Sequence, residues 1–285
     1  MSKQEEKKVD LKNIGLNVGF IMAKHFYNTE YMHYGYWSDG LEVNTNNLFQ
    51  AQENYANLLL SNIPEGVKSI LDVGCGVGKF AEKLLDAGYE VDCVSPSPYL
   101  NTQVRRLLGN RSEIFECYFE HIETNKKYDL ILFSESYQYI PVKDSLETSL
   151  KLLRETGYIL IGDFFVKDVE GKSPISGGHN LNRFYKTVRN YPLTNLVDMD
   201  ITKETALSLD LVNDVLSDVV HPIWDSIAYY LKSNYPLVSK VFTRFYKKKL
   251  DKMQYKYFSN ATNGKNFSFF KSYRLLLYKK VKSPT

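Results

Sequence analysis

The sequence predicts an α/β protein with a mostly parallel seven-stranded sheet and helices on both faces. Three observations predict it. An apolar segment, Val67 to Val73, runs into glycines at alternate positions (Gly74, Gly76, Gly78) and then into a helix-like stretch from Lys79 to Ala87. Short apolar runs then alternate with helical stretches as far as Ile161, the pattern of parallel strands joined by helical crossovers. Two later segments, Leu196–Thr202 and Phe270–Lys279, supply strands six and seven.

Residues 1–62 are expected to form a charged tail over 1–10 and then a helical cap, since Leu48, Ala51, Tyr55, Leu58 and Leu59 recur at helical spacing. Residues 63–202 form the α/β core. Strand one is Ser69 to Val73, and the helix after the glycines stops at Gly88, a good C-terminal signal. Strand two is Glu90 to Val94, a helix spans Pro98 to Leu108, and strand three is Glu113 to Cys117. Strand four, Tyr128 to Phe133, is a short run suited to a central parallel strand. A helix over Val142 to Leu153 and a turn at Glu155–Gly157 lead to strand five, Tyr158 to Ile161. Residues 171–180 are a glycine-rich loop. Residues 203–265 read as a helical insertion whose stripe (Leu209, Val212, Leu216, Val219, Ile223, Ile227, Tyr230) is interrupted at Pro222. Residues 266–285 hold the last core strand.

The chain has 285 residues, enough for one large domain or a domain with a cap. Its net charge of +3 is too small to argue for nucleic acid. Cys75, Cys93 and Cys117 are odd in number, which fits a reduced setting without a disulfide framework. The N-terminus lacks an apolar signal segment, and no apolar run approaches transmembrane length, so a cytoplasmic protein is expected. No metal-ligating spacing of Cys and His stands out.

The glycine turn carries the chemistry. Alternate glycines let the backbone turn sharply and leave room for a ligand, and the next helix directs its free N–H groups and positive dipole end there. The spacing is G-x-G-x-G preceded by Asp72, unlike the G-x-G-x-x-G that grips pyrophosphate. It resembles motif I of class I S-adenosylmethionine-dependent methyltransferases, whose fold is Rossmann-like. Two further stretches resemble a small-molecule subgroup that includes the gamma-tocopherol, sarcosine and sugar O-methyltransferases: Ser134-Glu135-Ser136-Tyr137-Gln138-Tyr139-Ile140-Pro141, and His33-Tyr34-Gly35-Tyr36-Trp37 upstream. Asp200-Ile201-Thr202 and Pro222-Ile223-Trp224 are similar to later features of that subgroup, so the resemblance runs from about residue 31 to 280.

The resemblance implies S-adenosyl-L-methionine as cofactor, held by Asp72, Gly74, Cys75, Gly76 and Gly78, with Ser134 and Glu135 after strand four. Ser95 and Pro96 stand at the ribose position, where the family usually has a carboxylate. Phe119 and Glu120 stand where the family holds the adenine; equally, both pack or face solvent. Tyr36 and Trp37 would close over the sulfonium, which aromatic faces attract; the lesser alternative is a hydrophobic cap over the core. Tyr34, Tyr137 and Trp224 are candidates for the acceptor. Histidines are frequent in the subgroup where this chain has Gln138 and Tyr139, so the candidate catalytic groups are His179 in the glycine-rich loop, His33 in the cap and Tyr139.

The expected reaction is methyl transfer to O, N or C of an apolar, lipid-like small molecule. The alternatives are a cyclopropane-type lipid methylase, which Ser95 would suit, and a binding protein that kept the fold and lost catalysis. The basic, aromatic stretch Lys240–Lys256 is either a solvated helix face or a peripheral membrane contact.

Overall fold

The structure, a computed structural model, describes residues 11–281. The tail expected over 1–10 lies outside the described residues. Helix α1 (Leu11–Phe26) and helix α2 (Leu48–Ser61) precede the sheet. Between them the chain is irregular, where a helical cap was expected throughout. The segment instead lies across α2: Tyr36 N donates to Ala51 O (2.8 Å) and Gln52 Nε2 to His33 O (2.7 Å). Gly35 permits the approach, since a Cβ there would stand 2.5 Å from the Ala51 Cβ.

The core begins with β1 (Ser69–Val73), α3 (Lys79–Asp86), β2 (Glu90–Val94) and α4 (Pro98–Leu108), at the boundaries read from the sequence. Strand β3 is only Ile114–Phe115, shorter than Glu113 to Cys117. Strand β4 (Tyr128–Ser134) and helix α5 (Val142–Leu152) follow. Strand β5 runs from Leu153 to Val166, far beyond the expected Tyr158 to Ile161. The Glu155–Gly157 segment is an irregularity within the strand: β4 and β5 pair at Tyr128↔Leu153 and resume at Leu130↔Tyr158. Helix α6 (Leu181–Val188) and strand β6 (Leu193–Asp200) come next, β6 lying slightly earlier than read. Helices α7 (Thr202–Val215), α8 (His221–Asn234), α9 (Pro236–Phe258) and α10 (Gly264–Phe270) precede strand β7 (Lys271–Lys280). Pro222 sits in the first turn of α8, where its missing N–H is harmless, just after a π-helical segment (Leu216–Val220). The helical stripe therefore continues where a break was expected.

The sheet order is β3-β2-β1-β4-β5-β7-β6, with β7 antiparallel to both neighbours. Both faces are buried, which is why the strands read as continuous apolar runs. Ile70, Leu130, Leu132 and Leu160 enter one core layer. Leu71, Ile131, Phe133 and Ile161 enter the other. The chain turns outward from β1 toward β3 and then returns to add β4 on the other side. Such a reversal leaves a crevice outside the carboxyl ends of β1 and β4.

Candidate active site

The crevice begins where β1 ends. Gly74, Gly76 and Gly78 all have left-handed φ, at +74°, +58° and +88°. Gly74 is the most constrained: a Cβ there would stand 2.5 Å from the Ser136 Cβ. Ser136 is fixed in turn, since its hydroxyl donates to Val73 O and the neighbouring Glu135 N donates to Gly162 O (2.8 Å). The glycine turn and the loop after β4 therefore interlock. Met32 closes the turn from above, its Sδ 3.5 Å from the position of a Gly76 Cβ. Cys75 is a buried free thiol in the floor.

Buried polar atoms without a protein partner line the carboxyl ends of neighbouring strands. They are Asp72 Oδ2 on β1, Glu120 Oε2 in the turn after β3 and Asn101 Oδ1 on α4; the buried Ser134 Oγ at the end of β4 has the Tyr55 hydroxyl beside it. Asn101 Nδ2 also holds Ser95 O (3.0 Å), and the Ser95 hydroxyl accepts from Ser97 N (3.3 Å). Leaving such groups buried and unpaired costs about 1–3 kcal/mol each. Burial alone pushes the Asp72 carboxyl up to about 7. A set dominated by acceptors suits a ligand rich in donors and positive charge. A sulfonium nucleoside with ribose hydroxyls, an exocyclic amine and an ammonium meets that description.

The other predicted cofactor residues are placed less directly. Phe119 is buried and stands edge-on to Phe133 (5.4 Å between centroids) in the core layer. Pro96 is exposed. Trp37 is buried, its Nε1 donating to Ser208 Oγ on α7 (3.0 Å), with Ala51 and Leu211 around it. Tyr36 is partly buried against the core.

Beside the crevice lies a second cluster. Glu135, with a left-handed φ of 55°, accepts at Oε1 from Tyr34 N (2.7 Å) and from the Tyr273 hydroxyl (2.8 Å). The Tyr273 oxygen lies 2.8 Å from the Tyr55 hydroxyl, and Tyr55 reaches Gly162 O (3.2 Å). Burial, with Asp163 nearby, pushes Glu135 up to about 8. Asp163 is buried and pushed up to about 7, although it accepts from Gln138 N (2.9 Å), Gln138 Nε2 (3.1 Å) and Phe164 N (2.7 Å). The rings of Tyr34, Phe164, Phe267 and Tyr273 stand together, with centroids 5.4 to 6.5 Å apart. Gln138, read as the loss of a histidine, is thus the partner of a buried carboxylate. Asp163 went unread in the sequence, and Tyr55 and Tyr273 were read only as residues of the cap helix and of strand seven. The available signal was the lone charge inside the apolar run Tyr158–Val166.

The predicted catalytic groups separate. His179 directs Nε2 at Ile140 O (2.8 Å) and Tyr137 O (3.2 Å), so that nitrogen carries a proton and donates. His33 donates from Nδ1 to Tyr34 O (2.8 Å), its bare Nε2 is buried without a partner, and burial lowers it to about 4. Tyr139 is exposed. Among the acceptor candidates, Tyr34 belongs to the ring cluster. Tyr137 packs edge-on between Phe133 (5.1 Å) and Phe184 (5.5 Å) in the opposite core layer. Trp224 stands on α8, which buries none of its residues, and is 39% exposed.

The fold and its glycine-lined crevice are those of class I S-adenosylmethionine-dependent methyltransferases. Residues 48–194, just over half of the chain, match the family described as a methyltransferase domain, and the chain belongs to that family. It is 30% identical over 108 residues to a malonyl-[acyl-carrier protein] O-methyltransferase of Ilyobacter polytropus, covering 36% of this chain and 42% of that one. The matches span less than half the length of the curated relatives. Among solved structures, it superposes on a putative sarcosine dimethylglycine methyltransferase from Galdieria sulphuraria with a TM-score of 0.68. That pair is 16% identical and the match covers 93% of this chain and 98% of the other. A mycolic acid cyclopropane synthase solved with S-adenosylhomocysteine superposes with a TM-score of 0.65 at 13% identity, covering 96% and 100%. At these identities the two structures share the fold.

Proposed function

We propose that this protein transfers the methyl group of S-adenosylmethionine to a nucleophilic atom of a small molecule with an apolar body, in a reducing, cytoplasmic setting. The observation that carries the reading is the left-handed glycine turn at the end of β1 together with the buried, unpartnered acceptors Asp72 Oδ2 on that strand and Glu120 Oε2 after β3. When bound, the cofactor supplies an electrophilic methyl on a positively charged sulfur. Asp72, Ser134, Glu120 and Ser95 would hold it, with the glycine backbone beneath.

The acceptor belongs beside Glu135, against Tyr34, Phe164 and Phe267. Apolar rings beside a titratable carboxyl suit an acceptor with an apolar body next to a group that must lose a proton. Glu135, pushed up to about 8 and steadied by Tyr34 N and the Tyr273 hydroxyl, takes that proton. We assign it to the acceptor side because its bonds run to the cap and to β7. His179 ties the loop after β5 to the loop after β4 and acts by positioning. A carboxylic acid carried as a thioester is a further acceptor class to assay, since the curated relatives are named for a malonyl-acyl-carrier substrate.

Titration calorimetry with S-adenosylmethionine tests the cofactor, and no binding would end the reading. Radiolabelled methyl transfer to lipid extracts and to acyl thioesters tests the acceptor. The Glu135→Gln variant should bind cofactor normally and lose about 10²- to 10⁴-fold in turnover. Unchanged turnover would remove Glu135 as the base.

A further inference from the structure

Helices α8 and α9 fold into a hairpin that buries none of its described side chains. On α9, Leu237, Val238, Val241, Phe242 and Phe245 are between 50% and 80% exposed. Their spacing places them on one half of the helix, where with Tyr246 they line a shallow open groove. Lys240, Arg244 and Lys247 occupy the adjoining arc of the same helix together with Asp251, while Lys248 borders the apolar half and Lys249 lines the groove with its ammonium 5.6 Å from the Tyr246 ring centroid. From Pro236 to Asp251 the sole acidic residue is Asp251.

We propose that α9 is a docking surface for a bilayer that carries anionic phospholipid. The helix lies in the interfacial plane, its apolar half at the acyl boundary and its basic flank against the headgroups. Three observations select this occupant. No described helix is long and apolar enough to cross a membrane, so α9 lies along the surface. The groove from Leu237 to Lys249 gives a contact of about 20 Å at 1.5 Å per residue. A second copy laid on this face would bring its own basic flank against this one, whereas anionic headgroups neutralise it. The inference concerns a face outside the crevice and stands whatever the acceptor proves to be.

Co-sedimentation with vesicles is the test, using phosphatidylcholine alone and phosphatidylcholine with phosphatidylserine in equal amounts. The full chain should partition at least tenfold more strongly onto the anionic vesicles and lose that preference in high salt. The chain has two tryptophans, and Trp37 is buried, so a blue shift on binding reports Trp224 at the base of the hairpin. Each basic residue near an anionic surface contributes about fivefold. The variant K240Q/R244Q/K247Q/K248Q should therefore lose more than a hundredfold. The variant F242S/F245S should lose more than tenfold on the same vesicles. Both variants alter exposed residues and should keep the wild-type unfolding midpoint. Equal partition onto neutral and anionic vesicles, or unchanged binding by F242S/F245S, overturns the proposal. So does a dimer in solution that F242S/F245S dissociates while no vesicle is bound.

Discussion

Replacing Gly74 by Ala tests the interlock between the glycine turn and the loop after β4. Two penalties follow from the structure. A side chain at φ +74° costs about 1–2 kcal/mol for an L-residue. The new Cβ, 2.5 Å from the Ser136 Cβ, adds about 1–3 kcal/mol of overpacking. Ser136 cannot swing aside freely, because its hydroxyl bonds Val73 O and Glu135 N bonds Gly162 O. The single variant should thus lose about 2–5 kcal/mol in urea unfolding, and cofactor affinity should fall with it. The rescue is specific. Ser136→Gly removes the atom that collides but leaves the φ penalty. By itself Ser136→Gly costs about 0.5–1.5 kcal/mol for the lost hydrogen bond, plus a smaller backbone-entropy penalty. In the double variant the two losses should fall short of their sum by about 1–3 kcal/mol, the overpacking contribution. Losses that add within about 0.5 kcal/mol would show that the two loops do not touch as described.

Two further predictions concern protons. Asp72 is pushed up to about 7, so a cationic ligand beside it must first have the carboxylate ionised. Affinity for S-adenosylmethionine should therefore rise about tenfold from pH 6 to pH 8 and level off, with the slope absent in Asp72→Asn; a flat calorimetric profile for the wild type would refute this. The ligand-free protein should also lose stability as pH rises from about 4.5 to 8, the fall flattening above about 7. Asp72, Asp163 and Glu135 are raised to about 7, 7 and 8, so the folded state keeps protons there that the unfolded state has already lost. Below about 6.5, His33 opposes them, because its lowered value leaves it neutral when folded and charged when unfolded. Urea midpoints across that range, with Glu135→Gln flattening the fall, check the sign.

The nucleotide-binding half of the fold was legible because its signals are local. The apolar run of β1, the positive-φ glycines and the stop at Gly88 act within a few residues of one another, and β1, α3, β2 and α4 fall at the boundaries read. Local signals misled where a partner decided the outcome. The turn expected at Glu155–Gly157 is absorbed as an irregularity because β4 continues to pair beside it. The stripe from Leu209 to Tyr230 buries Leu209 but leaves Ile223, Ile227 and Tyr230 in solvent, since periodicity reports a face and not what covers it. Histidines drew attention by type, yet His179 is spent on backbone carbonyls and His33 is held neutral by burial.

The sequence by itself determined the class of sheet, the glycine turn and the carboxylate at its start. Backbone conformation and hydrophobic pattern act over short spans and are written residue by residue. Only the tertiary structure decided the acceptor side. Tyr273 meets Glu135 across 138 residues and Tyr55 across 218. Trp37, read as closing over the cofactor or as part of a hydrophobic cap, is bonded to Ser208 across 171. Such contacts depend on how β7 and α7 return to the sheet, and burial then sets the protonation of the groups they enclose.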